Sequence, residues 1–333
     1  MESRSGKIFA GKRKEYLSVL KEETALKIFL QCGLNFVLEI VELCVIMLLL
    51  INKTSEAVFM DVFQKILAFL DTSMETPLPY GWFHVLFFVL SFAALIPLCR
   101  YPKKPTDTHV QNVVLVTAII VILLEVYKQI NYSFSYEKGI SFDYQWYAFP
   151  FQFCSTPMYV GLLAGIFRKG KFHESLCAYL ATYSLFAGLS VMVYPVSVFI
   201  STVGINIQTM ICHGSMITVG IYLLITGYVP LKHKTVLKAL PVFACGVVLA
   251  WLMNEVAYRV GLLETETFNM FFISPYCEPS LPVYSLVQAV VPFPVSLILY
   301  VAGFTAAAYL VLLIAMGVAT VTRKFSKKEV KLP

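Results

Sequence analysis

The sequence predicts an all-α fold: a polytopic bundle of about eight transmembrane helices, with both termini in the cytoplasm. The first supporting observation is composition, since 58% of the 333 residues are hydrophobic and only 14% are charged. Soluble globular proteins are about 45–50% apolar and about 25% charged. The second is the recurrence of apolar runs of spanning length, and the third is the placement of the basic residues. Together these observations exclude an ordinary soluble enzyme.

Eight apolar runs are long enough to cross a bilayer, which takes about 20 residues in a helix. We assign the first, residues 28–52, to an N-terminal span and the other seven to a core that covers residues 80–320. Basic tails at 1–27 and 321–333 flank this arrangement. The core spans are predicted at residues 80–99, 110–130, 148–167, 174–195, 205–229, 239–260 and 296–320.

The basic residues alternate between loops as this order of spans requires. Of the 26 Lys and Arg residues, 21 fall in segments that the order places on the cytoplasmic side. Lys53, Lys65 and Lys138 fall on the outer side, and Lys128 and Arg259 lie at predicted span ends. A missed or invented span would scramble this alternation, so we expect cytoplasmic termini. The net charge of +6 is then a topology signal rather than a nucleic-acid surface.

Two further segments are predicted on the outer side. Residues 57–70, within the N-terminal region 28–79, are too short to span and carry their polar residues on one helical face, which predicts an interfacial helix. Residues 261–285 form a long outer segment with three glutamates and three prolines, and we expect an ordered cap or lid there. The N-terminus lacks the pattern of a cleavable signal, so it is expected to be retained as an anchor.

Polar side chains inside predicted spans are functional candidates, because an ionisable group in hydrocarbon costs about 3 kcal/mol or more. At about 1.5 Å per helical residue, most of them fall in the outer third of different spans. Glu39 and Glu42 lie deeper and are the exceptions. The members of the outer layer are His84, Glu125, Lys128, Gln152, Cys154, Gln208, His213, Asn254, Glu255 and Arg259.

The charged members of this layer have a structural interpretation as well. Glu125 with Lys128, and Glu255 with Arg259, have the spacing of ion pairs on one helix, so each pair could neutralise itself. The eight cysteines show no zinc-type spacing, and no metal site is predicted. Most of the cysteines are expected to be small apolar helix residues.

Cys154 and His213 are the pair with nucleophilic chemistry. Their predicted depths are similar, roughly 9 Å and 12 Å below the outer ends of their spans. A thiol in apolar surroundings is inert without a base and a hydrated cavity, and His213 could be that base. A membrane histidine is about as often a packing group. Donors for a developing oxyanion could come from Gln152, Ser155, Thr156 and Asn254.

Several stretches in order resemble the YwaF-type integral membrane proteins. They are GWFHVLFFVL at 81–90, FPFQFCSTPMYV at 149–160, INIQTMICHGSMI at 205–217, TFNMFFISPYCEPS at 267–280 and VPFPVSLILY at 291–300. The resemblance covers roughly residues 80–320 and implies a seven-span core. Many bacterial members carry a histidine two residues before the cysteine, whereas Gln152 stands there in this chain.

Eukaryotic relatives of that family include a membrane acyltransferase that builds polyunsaturated ether phospholipids with a cysteine and a nearby histidine. The resemblance therefore implies that Cys154 is the nucleophile and His213 the base, with His84 as the residue that could replace the missing histidine. The residues expected to order the site or bind a headgroup are Glu125, Lys128, Gln152, Asn254, Glu255, Arg259 and Asn269.

The expected function is a membrane lipid acyltransferase that works in the outer half of the bilayer without a cofactor. Its partners would be phospholipids and lysophospholipids, in the plasma membrane or in an endomembrane of a eukaryote. A lipid hydrolase would use the same site. The rival hypothesis is a lipid or small-molecule transporter or binding protein, which broken helices in two symmetric halves would favour. Only one candidate break is visible, at Pro292 and Pro294.

Overall fold

The computed structural model describes residues 53–100, 105–137, 139–195, 198–265, 267–278 and 281–329. The predicted N-terminal span, with Glu39 and Glu42, lies outside the described residues, as does Lys138. Two compact units are distinguished, Met1–Lys65 and Ile66–Pro333, and every residue of the candidate site belongs to the second.

Most of the described residues are helical and few form strands, which confirms the all-α class. Their short strands, Phe134–Ser135 (β1) and Ser141–Phe142 (β2), pair antiparallel, with Phe134 opposite Phe142. A π-helical segment, Leu180–Ser184, joins the helix Gly170–Tyr179 to the helix Leu185–Val193. The helices are α1 Lys53–Leu70, α2 Trp82–Ala93, α3 Leu95–Arg100, α4 Asp107–Ser133, α5 Thr156–Ile166, α6 Gly170–Tyr179, α7 Leu185–Val193, α8 Val203–Ile225, α9 Lys234–Arg259, α10 Pro282–Gln288 and α11 Phe293–Glu329.

Six helical stretches in the described part of the chain are long and apolar enough to cross a membrane. Each coincides with one of the predicted core spans, which supports a polytopic bundle. They are Trp82–Arg100, Asp107–Ser133, Gly170–Val193, Val203–Ile225, Lys234–Arg259 and Phe293–Thr322.

The predicted span at residues 148–167 is wrong in its form. Only Thr156–Ile166 is α-helical there, and residues 149–155 before it form no helix. Two prolines explain the difference. Pro150 disfavours helical backbone at Phe149, and Pro157 occupies the first turn of α5, where its missing N–H is not needed. The 11-residue helix is about 16 Å long, well short of the roughly 30 Å hydrocarbon core.

Other helix ends also follow from local chemistry. Thr106 caps α4 by accepting a hydrogen bond from the backbone N–H of His109 at 3.2 Å, and Asp107 adds a negative charge to the first turn. Pro292 precedes α11 and Pro294 stands in its first turn, so the predicted break at these prolines is the start of a helix.

Three of the backbone carbonyl groups of residues 149–155 accept hydrogen bonds from nearby donors. Gln152 O accepts from Ser155 N at 2.9 Å and from Thr156 N at 3.1 Å. The Tyr159 hydroxyl donates to Pro150 O at 2.9 Å, and the Thr156 hydroxyl donates to Phe153 O at 2.9 Å. Non-helical backbone at membrane depth is tolerated where protein covers it in this way.

The middle of the predicted outer lid is buried in the bundle. We call residues 268–274 the buried loop, because Met270 and Phe271 in it are 0% and 1% exposed. Phe271 has a φ of 56°, a left-handed backbone conformation that is rare for a bulky residue. The buried loop is therefore packed inside the bundle by tertiary contacts and does not form a lid on its surface.

Three side chains hold the buried loop. Asn254 accepts from Met270 N at 2.8 Å and donates to Met270 O at 3.0 Å. Gln152 accepts from Phe271 N and donates to Asn269 O, both at 2.9 Å. The Tyr300 hydroxyl donates to Phe271 O at 3.0 Å. These bonds give the loop backbone the partners that a helix would otherwise provide.

Asn254→Ala should lower stability by about 2–4 kcal/mol, because it leaves the buried N–H and C=O of Met270 without partners. Thermal unfolding of the detergent-solubilised protein measures the effect as a lower Tm. Asn112→Ala is the matched control, since Asn112 is exposed and bonds only the exposed side chain of Arg168. Equal melting temperatures for the two variants would contradict the role of Asn254.

Candidate functional site

Cys154 lies near the end of the non-helical segment 149–155 and directly precedes Ser155, the N-cap residue of α5. With Pro157, Met158 and Gly161 it lines a cavity of about 30 Å³, whose other walls come from α4, α8 and the π-helical segment. A water needs about 10–15 Å³ of such volume. The polar residues of the lining, apart from the cysteines, are Thr117, Ser184 and Ser215. The thiol thus borders a small compartment with room for water.

A buried ion pair lies beside this cysteine. Lys128 Nζ is 2.8 Å from Glu125 Oε1, and the two side chains are only 16% and 8% exposed. The Gln129 amide also donates to Glu125 Oε1, at 2.8 Å, and the Gln208 amide reaches Glu125 Oε2 at 3.5 Å. The predicted self-neutralising geometry is therefore present. Burying such a pair is costly, so its presence is weak evidence for a stabilising role.

Lys128, Glu125 and Ser155 are the polar side chains that act on the Cys154 thiol. A cationic neighbour and a helix N-terminus favour a thiolate, whereas apolar surroundings oppose one. Cys154 has all three influences, because it precedes α5 and packs with the apolar cluster of Met158, Ala187 and Met216. Its reactivity consequently depends on a base and on the nearby charges.

His213 lies in α8 and is nearly buried. Its Nδ1 is 2.8 Å from Thr209 O, and because a carbonyl only accepts, Nδ1 carries the proton. Nε2 of the neutral ring is then an acceptor, as a general base requires. Thr209 Oγ1 donates to Gln208 Oε1 at 3.3 Å, and Gln208 contacts Glu125 in turn. A continuous chain of polar contacts thus joins His213 to the ion pair.

Cys154 and His213 lie in the same region of the bundle. The charge of Lys128 acts on both side chains. The adjacent residue Cys212 lines the Cys154 cavity, with its Sγ 3.9 Å from Cys154 O. Within the described ranges, no hydrogen bond joins the Cys154 thiol to the His213 ring. His213 is also absent from the residues that line the cavity.

His84, the proposed replacement for a missing histidine, has both ring nitrogens engaged. Nδ1 accepts from Tyr80 N at 3.1 Å, and Nε2 donates to Met192 O at 2.9 Å. In this arrangement the ring ties the start of α2 to the end of α7. It has no free nitrogen with which to accept a proton.

The side-chain amides that were predicted to donate to an oxyanion instead form hydrogen bonds with the buried loop. The Gln152 and Asn254 amides are occupied by backbone groups of residues 269–271. Asn269 Oδ1 accepts from Ser274 N at 2.9 Å within the loop itself. Thr156 donates its hydroxyl to Phe153 O. Of the four predicted oxyanion donors, Ser155 is the one whose side chain acts on Cys154.

Glu255 and Arg259 form a separate cluster near the end of α9. Arg259 Nη2 is 2.7 Å from Glu255 Oε1, and the Arg259 side chain is 73% exposed. The Tyr276 hydroxyl donates to Glu255 Oε2 at 2.7 Å, and its ring stacks on Tyr258 with centroids 3.7 Å apart. The hydrogen bond to Glu255 raises the pKa of Tyr276, and desolvation adds to the rise. These contacts tie α9 to the outer segment.

The sequence interpretation missed Gln129 and Asp71. Gln129 donates one hydrogen bond to Glu125 and another to Ala148 O, at 2.8 Å each, and its i,i+4 spacing from Glu125 was the available signal. Asp71 accepts hydrogen bonds from distant segments, at 3.2 Å from the Tyr136 hydroxyl and 3.3 Å from that of Thr202. Nothing in its local sequence indicates those partners. Within the described ranges, no three His, Cys, Asp or Glu side chains could share a metal ion.

The family comparison covers Cys154, His213 and the Glu125–Lys128 pair. The family model described as TMEM164 family matches residues 73–316, well over half of the chain. No curated protein and no solved structure matches the chain. The YwaF-type name stays a resemblance, because the matching model is that of the TMEM164 family. Since its described residues include six apolar helices of spanning length, this chain is an integral membrane protein that belongs to the TMEM164 family.

Proposed function

We propose that this protein is a membrane lipid acyltransferase with Cys154 as its nucleophile. One observation carries the proposal: Cys154 stands where non-helical backbone, a buried ion pair and a small cavity meet. Irregular backbone and buried charge are each costly in hydrocarbon, and such features mark functional positions in membrane proteins. The basic residues support cytoplasmic termini, which puts the site in the outer half of the bilayer.

In the first half-reaction, Cys154 Sγ attacks the ester carbonyl of a phospholipid, and the thiol proton passes to Nε2 of His213. The tetrahedral oxyanion collapses, the ester C–O bond breaks, and the leaving lysolipid oxygen takes the proton from His213. The product is a thioester on Cys154. In the neutral ring whose Nδ1 donates to Thr209 O, Nε2 is available to accept the thiol proton when the two side chains approach.

In the second half-reaction, a lysolipid hydroxyl attacks the thioester and restores the free thiol. His213 Nε2 takes the proton of that hydroxyl and returns it to the Cys154 sulfur. Lys128 is suited to contact a lipid phosphate or the oxyanion, and Glu125 holds it in place. A hydrolase would differ only in that water attacks the thioester, and the small cavity next to Cys154 has room for it.

Transport is the second candidate function. The non-helical segment at residues 149–155, which interrupts the predicted span, favours it. The short helix α5 after this break resembles the discontinuous helices that bind substrate in transporters. Flip of a fluorescent phospholipid in proteoliposomes, insensitive to Cys154→Ser, would favour this alternative over acyl transfer.

Cys154→Ser should abolish transfer of a labelled acyl chain from phospholipid to lysophospholipid, since a serine hydroxyl is a far weaker nucleophile in this setting. The assay uses purified protein in vesicles and separates the labelled lipids by mass spectrometry. Cys99→Ser is the control, because Cys99 is an exposed thiol away from the cavity. Full transfer by the Cys154 variant would remove the proposed nucleophile.

His213→Gln should slow transfer by about a hundredfold to ten-thousandfold, the usual contribution of a general base. Its effect should fall on the rate of thioester formation rather than on binding of the donor lipid. His233→Gln serves as the comparison, since His233 contacts Tyr309 instead of the site. An unchanged rate of thioester formation in His213→Gln would assign the base to another group.

The Glu125–Lys128 pair can be tested for function apart from stability. Glu125→Gln leaves a buried Lys128 uncompensated and should cost about 3–5 kcal/mol. The double variant Glu125→Gln with Lys128→Met removes both charges and should recover most of the Tm, yet remain inactive. Recovery of transfer together with stability would mean that the pair is structural only.

A further inference from the structure

A second cavity, of about 340 Å³, lies between α5, α6 and α9. On α5 it is lined by Thr156, Tyr159 and Leu163, whereas Cys154 and Pro157 line the small cavity described above. The two cavities are therefore on different faces of the same short helix. This larger space takes no part in the proposed acyl transfer.

The hydroxyl groups of aromatic and threonine residues around the second cavity are already used. The Thr156 hydroxyl donates to Phe153 O, so Tyr179, whose hydroxyl is 2.7 Å away, must donate to Thr156. The Tyr159 hydroxyl donates to Pro150 O. Apart from the Ser175 hydroxyl and the Cys245 thiol, the cavity therefore offers a ligand mainly hydrocarbon contacts, which suits an apolar ligand better than a polar solute.

The cavity reaches the outer surface of the helix bundle. Its rim includes three side chains that are exposed on the surface of membrane-spanning helices: Phe172 on α6, and Cys245 and Leu249 on α9. From Pro241 to Leu249 the cavity follows α9 for about 12 Å. A helix surface at this level faces the acyl chains of the bilayer, so those chains are the solvent at the opening.

We propose that this cavity binds one acyl chain of a bilayer phospholipid, at a site distinct from the Cys154 thiol. An apolar void of this size falls in the range of about 300–1,000 Å³ typical of ligand sites. Left empty, its lining would lose the dispersion contacts that an inserted chain supplies. The binding site holds whether or not Cys154 forms a thioester, because it lies on the other face of α5.

A ligand in the second cavity would contact the buried loop. Phe271 lines the cavity, and a Cβ added at Gly246 on α9 would lie 3.2 Å from its ring. An acyl chain in the cavity therefore contacts both α5 and the side chain of the left-handed Phe271. Lipid bound there stabilises the arrangement in which Gln152 and Asn254 hold the loop.

The test uses the full chain in nanodiscs with a phosphatidylcholine that carries a photoreactive diazirine on one acyl chain. Peptide mass spectrometry after illumination should find adducts concentrated on lining residues such as Leu163, Val242 and Leu249. Ser175→Phe fills the cavity and should reduce these adducts about tenfold. Ala302→Phe is the control, because Ala302 lines a different groove, between α9 and α11.

A second measurement uses the native Cys245 thiol as its reporter and needs no variant. Cys245 at the rim should react more slowly with an apolar maleimide when phosphatidylcholine is added to delipidated protein, while labelling of exposed Cys99 should not change. A parallel arm replaces phospholipid with free fatty acid, and protection by fatty acid without protection by phospholipid would assign the site to a fatty acid and overturn the proposal.

Each outcome has a defined meaning. Adducts in the cavity that Ser175→Phe removes and Ala302→Phe leaves intact support the proposal. Adducts spread evenly over lipid-facing residues, or unaffected by Ser175→Phe, overturn it. If Ser175→Phe does not fold, equal effects of phospholipid on Cys245 and Cys99 overturn it as well. None of these readouts depends on transfer activity, so failure of the proposed acyltransferase would be seen separately.

Discussion

Satisfying backbone hydrogen bonds away from water is the constraint on which the rest of this structure depends. In the described part of the chain, residues 149–155 and the buried loop 268–274 pack within the bundle without α-helical backbone, and the loop contains only a 3₁₀ turn at Met270–Phe272. Each of their groups that lacks a helical partner needs a donor or acceptor from elsewhere in the chain. Gln152 belongs to the first segment and bonds the second, so the two irregular segments satisfy one another.

This mutual dependence explains why costly side chains gather around one short helix. The amides of Gln152 and Asn254 hold the loop, Tyr159 and Thr156 hold the backbone before α5, and Gln129 links Glu125 to Ala148 O. The resulting framework fixes Cys154 beside Lys128 and at the edge of a cavity. A thiol placed by so many polar contacts is more consistent with chemistry than with packing, because a packing cysteine needs none of them.

The apolar runs predicted the six full-length helices of the described residues, because a bilayer demands long uninterrupted hydrophobic segments and hydropathy reports this directly. The pair Glu125 and Lys128 was also visible, since its partners are three residues apart on one helix. The break before α5 could have been seen in Pro150 and Pro157, but hydrophobicity alone hides it. A helix of spanning length was therefore predicted where an 11-residue helix stands.

What sequence could not supply is contact between distant residues. Gln152 and Asn254 were recognised as costly, yet their partners in the loop are 117 and 16 residues away, and a tertiary contact leaves no mark in one sequence. Similar depth likewise placed Cys154 and His213 in one layer without deciding whether they touch, since helix rotation sets the direction of each side chain. The chain of contacts through Thr209 and Gln208 to Glu125 emerges only from the folded bundle.

We propose that Cys154 carries an acyl group during turnover. The most direct test measures the mass of the protein when the donor phospholipid is present and the acceptor lysophospholipid is withheld. The account predicts a mass increase equal to one acyl chain, mapped to the peptide that contains Cys154 and removed by neutral hydroxylamine, as a thioester requires. Active transfer with no such adduct, or an adduct on another residue, would contradict it.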